Sequence, residues 1–174
     1  ELGVDFKAKA LQAFVRIKFD QAGELTTLDT RDLTIEQVTD STYHQIEFWM
    51  SHPHPVRGST MSFVVPPDGV VTILYSTSAH ASGLMWVDAF QTLGKQSPCL
   101  FTQGQPLHAA SYVPCQNSPS VRFTFEASIS VPRSMRALMG GEHLSREFLD
   151  DKTSVEVWKM RQPIPAYLLT LAVG

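Results

Sequence analysis

The segment at residues 101–108 has side chains that could bind a ligand, because two glutamines flank a glycine there. The order is Gln103, Gly104, Gln105 and Pro106. A carboxamide carries donors and an acceptor, so it can orient an amine or a peptide carbonyl without titrating. Glycine lets a ligand approach the backbone, and proline ends a preceding strand. We interpret the segment as a ligand-binding loop, with an ordinary polar surface loop as the alternative.

The six histidines and two cysteines fit no known metal or nucleophile pattern. His52 and His54 alternate with prolines and follow His44, but no helix places two of them at i, i+4. His108 and Cys115 could form a base and thiol pair, yet nothing marks Cys115 as a thiol of lowered pKa. The sequence has no G-x-S-x-G elbow, phosphate loop or Rossmann fingerprint. We therefore predict no catalytic residue and no metal ligand in this chain.

Composition indicates one ordinary globular domain over residues 1–174, with 43% hydrophobic and 18% charged residues. The net charge of −3 without a basic block argues against nucleic acid or a membrane as the main partner. We interpret Cys99 and Cys115 as two small half-buried thiols in a reducing compartment, with one disulfide as the alternative, and expect a cytoplasmic protein. The apolar ending at residues 164–174 leads us to expect a domain cut from a longer protein.

Alternating apolar and polar residues dominate the chain and predict strands with one wet face. At residues 11–19 the apolar side chains fall on one face, with Phe14 as the exception. Turn residues such as Pro66-Pro67-Asp68-Gly69 separate several such segments. The expected strands cover residues 11–19, 33–38, 43–50, 61–65, 70–75, 121–131, 154–160 and 166–173. This spacing predicts an all-β fold, a saddle-shaped sandwich of mixed and antiparallel sheets with little helix.

Helical signal is weak and confined to two places. Residues 145–151 predict two helical turns, and residues 88–93 predict one short turn. The region at residues 83–120 shows little periodicity but carries scattered large apolar residues. We expect a long loop region there that packs against something or binds something.

A series of short motifs runs along almost the whole chain. The motifs are Leu28-Asp29-Thr30-Arg31-Asp32-Leu33, Ala81-Ser82-Gly83-Leu84-Met85-Trp86, Gln91-Thr92, Gly94-Lys95, Leu100-Phe101-Thr102-Gln103-Gly104-Gln105, Pro114-Cys115-Gln116, Ser118-Pro119-Ser120-Val121 and Pro163-Ile164-Pro165-Ala166-Tyr167. In their order and spacing, these motifs resemble the amino-terminal domain of leukotriene A4 hydrolase-like zinc aminopeptidases.

The resemblance implies a β domain that packs on a thermolysin-like catalytic domain of the same parent chain. In the family, the zinc motif H-E-x-x-H lies in that second domain, and this sequence contains no His-Glu pair. We therefore expect no activity and no cofactor in this chain alone, with zinc in the parent's catalytic domain. The resemblance leaves open whether the parent has epoxide hydrolase activity.

The resemblance also assigns substrate-binding roles in the glutamine segment. Gln105 matches the residue that holds the free amino terminus of a peptide substrate, and Gln103 lies close to the same pocket. Pro106 stands beside the substrate's first side chain. Holding the amine would restrict cleavage to the first peptide bond. Two positions depart from the family: Ala110 replaces an arginine and Asn117 replaces an aspartate, and both should affect the loop or the domain interface.

Three hypotheses follow. The first is a substrate-positioning domain of a zinc aminopeptidase, and the second is a zinc-less adaptor that acts only in protein assembly. The third is an unrelated carbohydrate- or protein-binding sandwich, which would need exposed aromatic residues on one sheet face. Under the first, we expect an apolar docking patch formed by Leu107, Tyr112 and the end of the strand at residues 166–173.

Overall fold

A computed structural model describes all residues from 1 to 174 and is almost entirely β-structure. Three short 3₁₀ helices interrupt the strands, at Ala89–Gln91, His108–Ser111 and Ala166–Leu168. None of the helices could reach across a membrane. The strands are β1 (Leu2–Asp5), β2 (Ala10–Lys18), β3 (Leu25–Thr30), β4 (Leu33–Thr39), β5 (Phe48–Met50), β6 (Ser59–Val64), β7 (Val70–Thr77), β8 (Leu84–Val87), β9 (Cys99–Thr102), β10 (Phe123–Pro132), β11 (Ala137–Met139), β12 (Glu142–Phe148), β13 (Thr153–Ile164) and β14 (Leu171–Val173).

The strands form one large sheet and two small ones. The large sheet has seven strands in the order β12-β13-β10-β1-β2-β7-β4. The small sheets have four strands, β11-β14-β9-β8, and three strands, β3-β6-β5. Only β1 and β10 pair in parallel, and all other neighbours are antiparallel. The expected all-β sandwich of mixed and antiparallel sheets is confirmed.

Two hydrophobic cores lie on the same face of the large sheet. The first core joins β2, β10 and β13 to the four-stranded sheet, for example through Leu11, Ile129 and Leu100. The second joins β2, β4 and β7 to the three-stranded sheet, for example through Ile73 and Phe63. Alternation along each strand sends apolar side chains to this face and polar ones to the other. The large sheet therefore supports both small sheets at once.

The alternation predicted most strands correctly. Ala10–Lys18 buries Leu11 and Ala13, while Gln12 and Phe14 are exposed. Phe123–Pro132 also alternates as expected. The expected short turn near residue 90 is the 3₁₀ helix Ala89–Gln91. Within the expected strand at residues 43–50, however, only Phe48–Met50 is a strand.

Two other expectations at the end of the chain were wrong. Residues 145–151 do not form a helix, because β12 (Glu142–Phe148) pairs with β13 as the edge strand of the large sheet. Charged residues are common on exposed edge strands. In β12 they interrupt the alternation of apolar and polar residues by which a strand is recognised. Residues 166–173 do not form one continuous strand. A 3₁₀ helix at Ala166–Leu168 precedes the short strand β14, and Leu168 is exposed.

The middle region is more ordered than the sequence suggested. Residues 83–120 contain β8 and β9, which pair with each other and, through β9, with β14. Each of these strands has four residues. They also carry apolar side chains on both faces, so they show no alternation that a sequence pattern could detect.

A buried carboxylate joins the large sheet to the segment before β11. Glu156 on β13 is fully buried and accepts a hydrogen bond of 2.5 Å from Arg136 Nε and one of 2.8 Å from His143 Nε2. Arg146 Nε lies 3.5 Å from the same carboxylate. Burial alone would raise the pKa of Glu156, but the hydrogen bonds from Arg136 and His143 and the charges of Arg136 and Arg146 outweigh it, so the pKa is lowered.

Replacing Glu156 by Gln should lower the free energy of unfolding by about 2 kcal/mol at neutral pH, since Arg136 and Arg146 lose a buried charged partner. A lowered folded pKa stabilises the protein above the ordinary glutamate pKa of 4.5, and this contribution is lost as the pH falls through the folded value. The gap between the wild type and Glu156→Gln should therefore narrow in acid.

Urea unfolding at several pH values measures this gap. The control is Glu126→Gln, which removes the exposed ion pair between Glu126 and Lys159 and should hardly change stability. Equal losses in the two variants would contradict the structural role of Glu156.

Candidate functional site

The two glutamines lie on a loop that leaves the end of β9, and we call residues 103–107 the Gln loop. Gln103, Gln105 and Pro106 are all exposed, as a binding role requires. Gly104 between them is buried. Because β9 lies between β14 and β8 in the four-stranded sheet, the loop begins on a strand that is paired on both sides.

Backbone hydrogen bonds fix both ends of the loop. The N–H of Gln103 donates to the carbonyl of Gly83 at 2.9 Å, which extends the pairing of β8 with β9 by one residue. The N–H of His108 donates back to the carbonyl of Gly104 at 2.8 Å. At the base, Thr102 Oγ1 accepts a hydrogen bond of 2.9 Å from the N–H of Leu171. The loop backbone is therefore held in one place while its polar side chains face outward.

Tyr112 packs against two glycines that frame the loop. A Cβ atom on Gly104 would lie 2.7 Å from the Tyr112 hydroxyl and 2.7 Å from the carbonyl oxygen of Tyr167. A Cβ atom on Gly83 would lie 2.8 Å from the Tyr112 ring and 2.6 Å from the carbonyl oxygen of His108. The expectation that Gly104 makes room for a ligand is therefore corrected, since the protein's own atoms fill that space.

The hydroxyl of Tyr112 is itself held in place. It donates to the carbonyl of Leu169 at 2.7 Å, and the carbonyl of Tyr112 accepts from the hydroxyl of Tyr75 at 3.0 Å. Burial raises the pKa of Tyr112 well above its usual value, so the phenol stays a neutral donor. Through Tyr75 on β7, the loop support is connected to the large sheet.

Asn117 secures the far end of the loop. Its side-chain amide donates to the carbonyl of Leu107 at 2.9 Å, and its backbone N–H donates to a carboxylate oxygen of Asp29 at 3.2 Å. An ionised aspartate could not donate the first of these bonds. Ala110 is buried in the first core. The two departures from the family motif therefore lie in the support of the loop.

The carboxamides of Gln103 and Gln105 make no hydrogen bond to any other residue of the chain, unlike the neighbouring polar side chains of Thr102, His108 and Asn117. Neither glutamine therefore caps its own loop. Both carboxamides are available to hydrogen-bond a ligand, with an acceptor oxygen suited to an ammonium group and N–H donors suited to a carbonyl.

The alternative chemical groups have other roles. Cys115 is buried and burial raises its thiol pKa to about 12, so it is no activated nucleophile. His108 Nδ1 lies 2.8 Å from Ser82 Oγ. His54 Nδ1 accepts from the backbone N–H of Val56 at 3.1 Å within an exposed turn. No three His, Cys, Asp or Glu side chains lie close together, so the residues of this chain do not fit a zinc ion.

Sequence reasoning named the exposed residues of the loop and missed the residues that position them. Gly83 and Tyr112 act through contacts between segments about thirty residues apart, which no local pattern reveals. In the sequence Gly83 stands within a family-like motif, and Tyr112 is predicted only as part of a docking patch. A glycine directly before a short apolar strand is the one signal that could have indicated a close packing site.

Comparisons with known proteins give one consistent result. Residues 1–168 match the family model of the peptidase M1 N-terminal domain. The chain is 35% identical over 190 aligned positions to leukotriene A-4 hydrolase of Xenopus laevis, covering 100% of this chain and 30% of that protein. It is 34% identical to leucine aminopeptidase 2 of Yarrowia lipolytica, covering 84% of this chain and 22% of that protein. The chain thus spans less than a third of these relatives.

The fold agrees with solved structures. Yeast leukotriene A4 hydrolase in complex with bestatin superposes with a TM-score of 0.85 at 27% identity, over 99% of this chain and 27% of that chain. An M1 zinc metallopeptidase from Deinococcus radiodurans has a TM-score of 0.71 at 16% identity, over 95% of this chain and 37% of that one. At such low identity the second likeness concerns the fold alone.

Replacing Gly104 by Ala should lower the free energy of unfolding by about 1–3 kcal/mol, because the added methyl group collides with the Tyr112 hydroxyl and the Tyr167 carbonyl. Gly3→Ala is the matched control, since its Cβ would meet only the Gln12 carbonyl at 3.5 Å. Urea unfolding measures stability, and amide exchange at residues 103–108 measures loop order. Equal behaviour of the two variants would show that Gly104 is not tightly packed.

Proposed function

The chain belongs to the peptidase M1 N-terminal domain family, and from this membership we propose that it is the substrate-positioning domain of a zinc-dependent aminopeptidase. Its partner is the catalytic domain of that enzyme, which supplies the zinc and the hydrolytic chemistry. The aligned segment is 30% of one matched relative and 22% of the other, which leaves room for such a domain. This chain contributes binding and orientation.

The observation that carries the proposal is the state of Gln105. Its side chain is exposed on a loop whose backbone is fixed by hydrogen bonds and by the contact of Gly104 with Tyr112. A fixed loop with an unpaired carboxamide is prepared for binding, because little backbone freedom is lost when a ligand arrives.

We assign the acceptor role to the carboxamide oxygen of Gln105. It accepts a hydrogen bond from the ammonium group at the amino terminus of a peptide, which fixes the distance between that terminus and the bond to be cleaved. Gln103 borders the same pocket, and Pro106 contacts the first side chain of the substrate. None of these residues transfers a proton, since a carboxamide does not titrate in the working pH range.

Replacing Gln105 by Ala in the complete enzyme should lower kcat/KM for peptides by roughly ten- to hundredfold. A hydrogen bond to a charged group contributes about 1.5–3 kcal/mol, and this loss appears in transition-state binding. Gln12→Ala is the control, because Gln12 is exposed on β2 of the large sheet, away from the loop. Steady-state kinetics with a tripeptide measure both variants. Unchanged kcat/KM in a folded Gln105→Ala enzyme would contradict the assignment.

Gln105→Glu separates substrate binding from structural support. A carboxylate still accepts from an ammonium group and adds charge attraction, so peptide affinity should be kept or increased. Any substrate without an amine should lose affinity. If both Gln105 variants lose stability equally and keep wild-type kcat/KM, the residue supports its own loop and binds no substrate.

The 174-residue chain alone should neither retain zinc nor hydrolyse aminoacyl arylamides, because no three ligands lie together in it. The complete protein should retain zinc and hydrolyse aminoacyl arylamides, and a chelator should abolish its activity. Metal analysis after dialysis and an arylamide assay test this. Zinc-dependent turnover by the chain alone would contradict the proposal, and an inactive complete protein without zinc would favour the adaptor hypothesis.

A further inference from the structure

The outward face of the four-stranded sheet carries an unbroken apolar row, which we define as Leu138, Ala172, Phe101 and Met85. The register places these residues side by side: Leu138 is paired with Ala172, Ala172 with Phe101, and Phe101 with Met85. Met85, Phe101 and Leu138 are 46%, 44% and 53% exposed. The row therefore crosses all four strands without a polar side chain.

The four strands lack charge on either face. Thr102 is the only polar residue in β8, β9, β11 and β14. The inward residues, such as Leu100 and Leu171, already fill the first core. Strands that are apolar on both faces are typical of sheets covered on both sides. The outward face of this sheet therefore has the composition of a buried surface.

The large sheet shows the contrast within the same molecule. Its outward face carries Gln12 and Arg16 on β2 and the ion pair of Glu126 with Lys159 on β10 and β13. Phe14 is an exposed aromatic residue there, 41% exposed and paired with Leu74. That face is mixed, with polar and charged residues between its apolar ones, whereas the row on the four-stranded sheet has no polar residue.

The location of the row corrects the docking patch expected from the sequence. Tyr112 is buried and Leu107 is half-buried, so neither can form the centre of a surface patch. Of the expected strand at residues 166–173, Ala172 alone belongs to the row. The sequence could not show this because the four strands come from separate parts of the chain.

The apolar row and the Gln loop are on one side of the sheet. Gln103 follows Phe101 by two residues, and its backbone pairing with Gly83 continues the β8–β9 ladder. Residues two apart in a strand share a face. A surface that covers Phe101 therefore also lies next to Gln103.

We infer that the apolar row is the surface on which the aminopeptidase catalytic domain packs. This inference rests on the proposed function and adds to it the face of contact. The occupant must be a large apolar protein surface, because the row has no charge to attract nucleic acid or anionic lipid. Yeast leukotriene A4 hydrolase carries this fold as 27% of a longer chain, so a much larger body accompanies it.

A second copy of the chain fits less well than a catalytic domain. Two copies joined face to face through the row would cover the side toward which Gln103 points. The glutamines would then face another copy of the same domain, which offers no three-ligand metal group. A catalytic domain on the row would instead bring its cleft to the Gln loop.

Hydroxyl-radical footprinting of the complete protein tests the inference, with mass spectrometry of the oxidised side chains. Phe101 and Phe14 are the matched pair, since they are the same residue type with 44% and 41% exposure in this domain. Phe101 should be oxidised at least about fivefold more slowly than Phe14, because an interface core excludes water. This protection should not depend on protein concentration.

Two results would overturn the inference. Equal oxidation of Phe101 and Phe14 would show that the row is uncovered. Protection that disappears on dilution, together with a dimer in sedimentation, would show that a second copy covers it. The kinetic test of Gln105 is independent of this one. A lowered kcat/KM of Gln105→Ala with an unprotected Phe101 would reject the docking face alone. A protected Phe101 with an unchanged kcat/KM of Gln105→Ala would reject the substrate role alone.

A charge substitution gives a second readout. Phe101→Glu should lower the melting temperature of the complete protein by several degrees, because it buries a charge in the interface. Phe14→Glu, placed on the wet face, should leave it nearly unchanged. Equal shifts for the two variants would contradict the docking face.

Discussion

The contact of Tyr112 with Gly83 and Gly104 is the constraint on which the candidate site depends. Its ring and hydroxyl occupy the space where side chains would otherwise stand at both positions. The hydroxyl is bonded to Leu169, and the backbone carbonyl is bonded to Tyr75 of the large sheet. One residue, through its side chain and its backbone carbonyl, therefore connects β7, the start of β8, the end of β9 and the segment before β14. This connection fixes the backbone of the Gln loop. Gln105 is therefore held in position although its carboxamide makes no hydrogen bond within the chain.

The large sheet and the four-stranded sheet differ in how they use their two faces. The large sheet packs both cores against one face and carries polar residues on the other. The inward residues of the four-stranded sheet complete the first core, while its outward row is apolar. Under the proposed function these features would serve two tasks: the core would hold the Gln loop in place, and the outer row would pack against the catalytic domain.

The sequence predicted the structure correctly where the pattern within a single strand determines which face is buried. Alternation in β2 and β10 predicted strands and their buried faces, since each has one wet side. It failed for β8 and β9, which are short and apolar on both faces, and for β12, whose charged edge resembles a helix. The resemblance to the family identified Gln103 and Gln105 as candidate binding residues. The packing role of Gly104 could not be predicted from the sequence, because the atoms that require a glycine there belong to Tyr112 and Tyr167.

The most direct test of the account is a crystal structure of the complete protein with a bound tripeptide. The account predicts that the carboxamide oxygen of Gln105 lies within about 3 Å of the peptide's amino-terminal nitrogen, the range of a charge-assisted hydrogen bond. It also predicts that Gly104 keeps its contact with Tyr112. A peptide whose amino terminus is held elsewhere, with Gln105 facing solvent, would contradict the central claim that this domain positions the substrate.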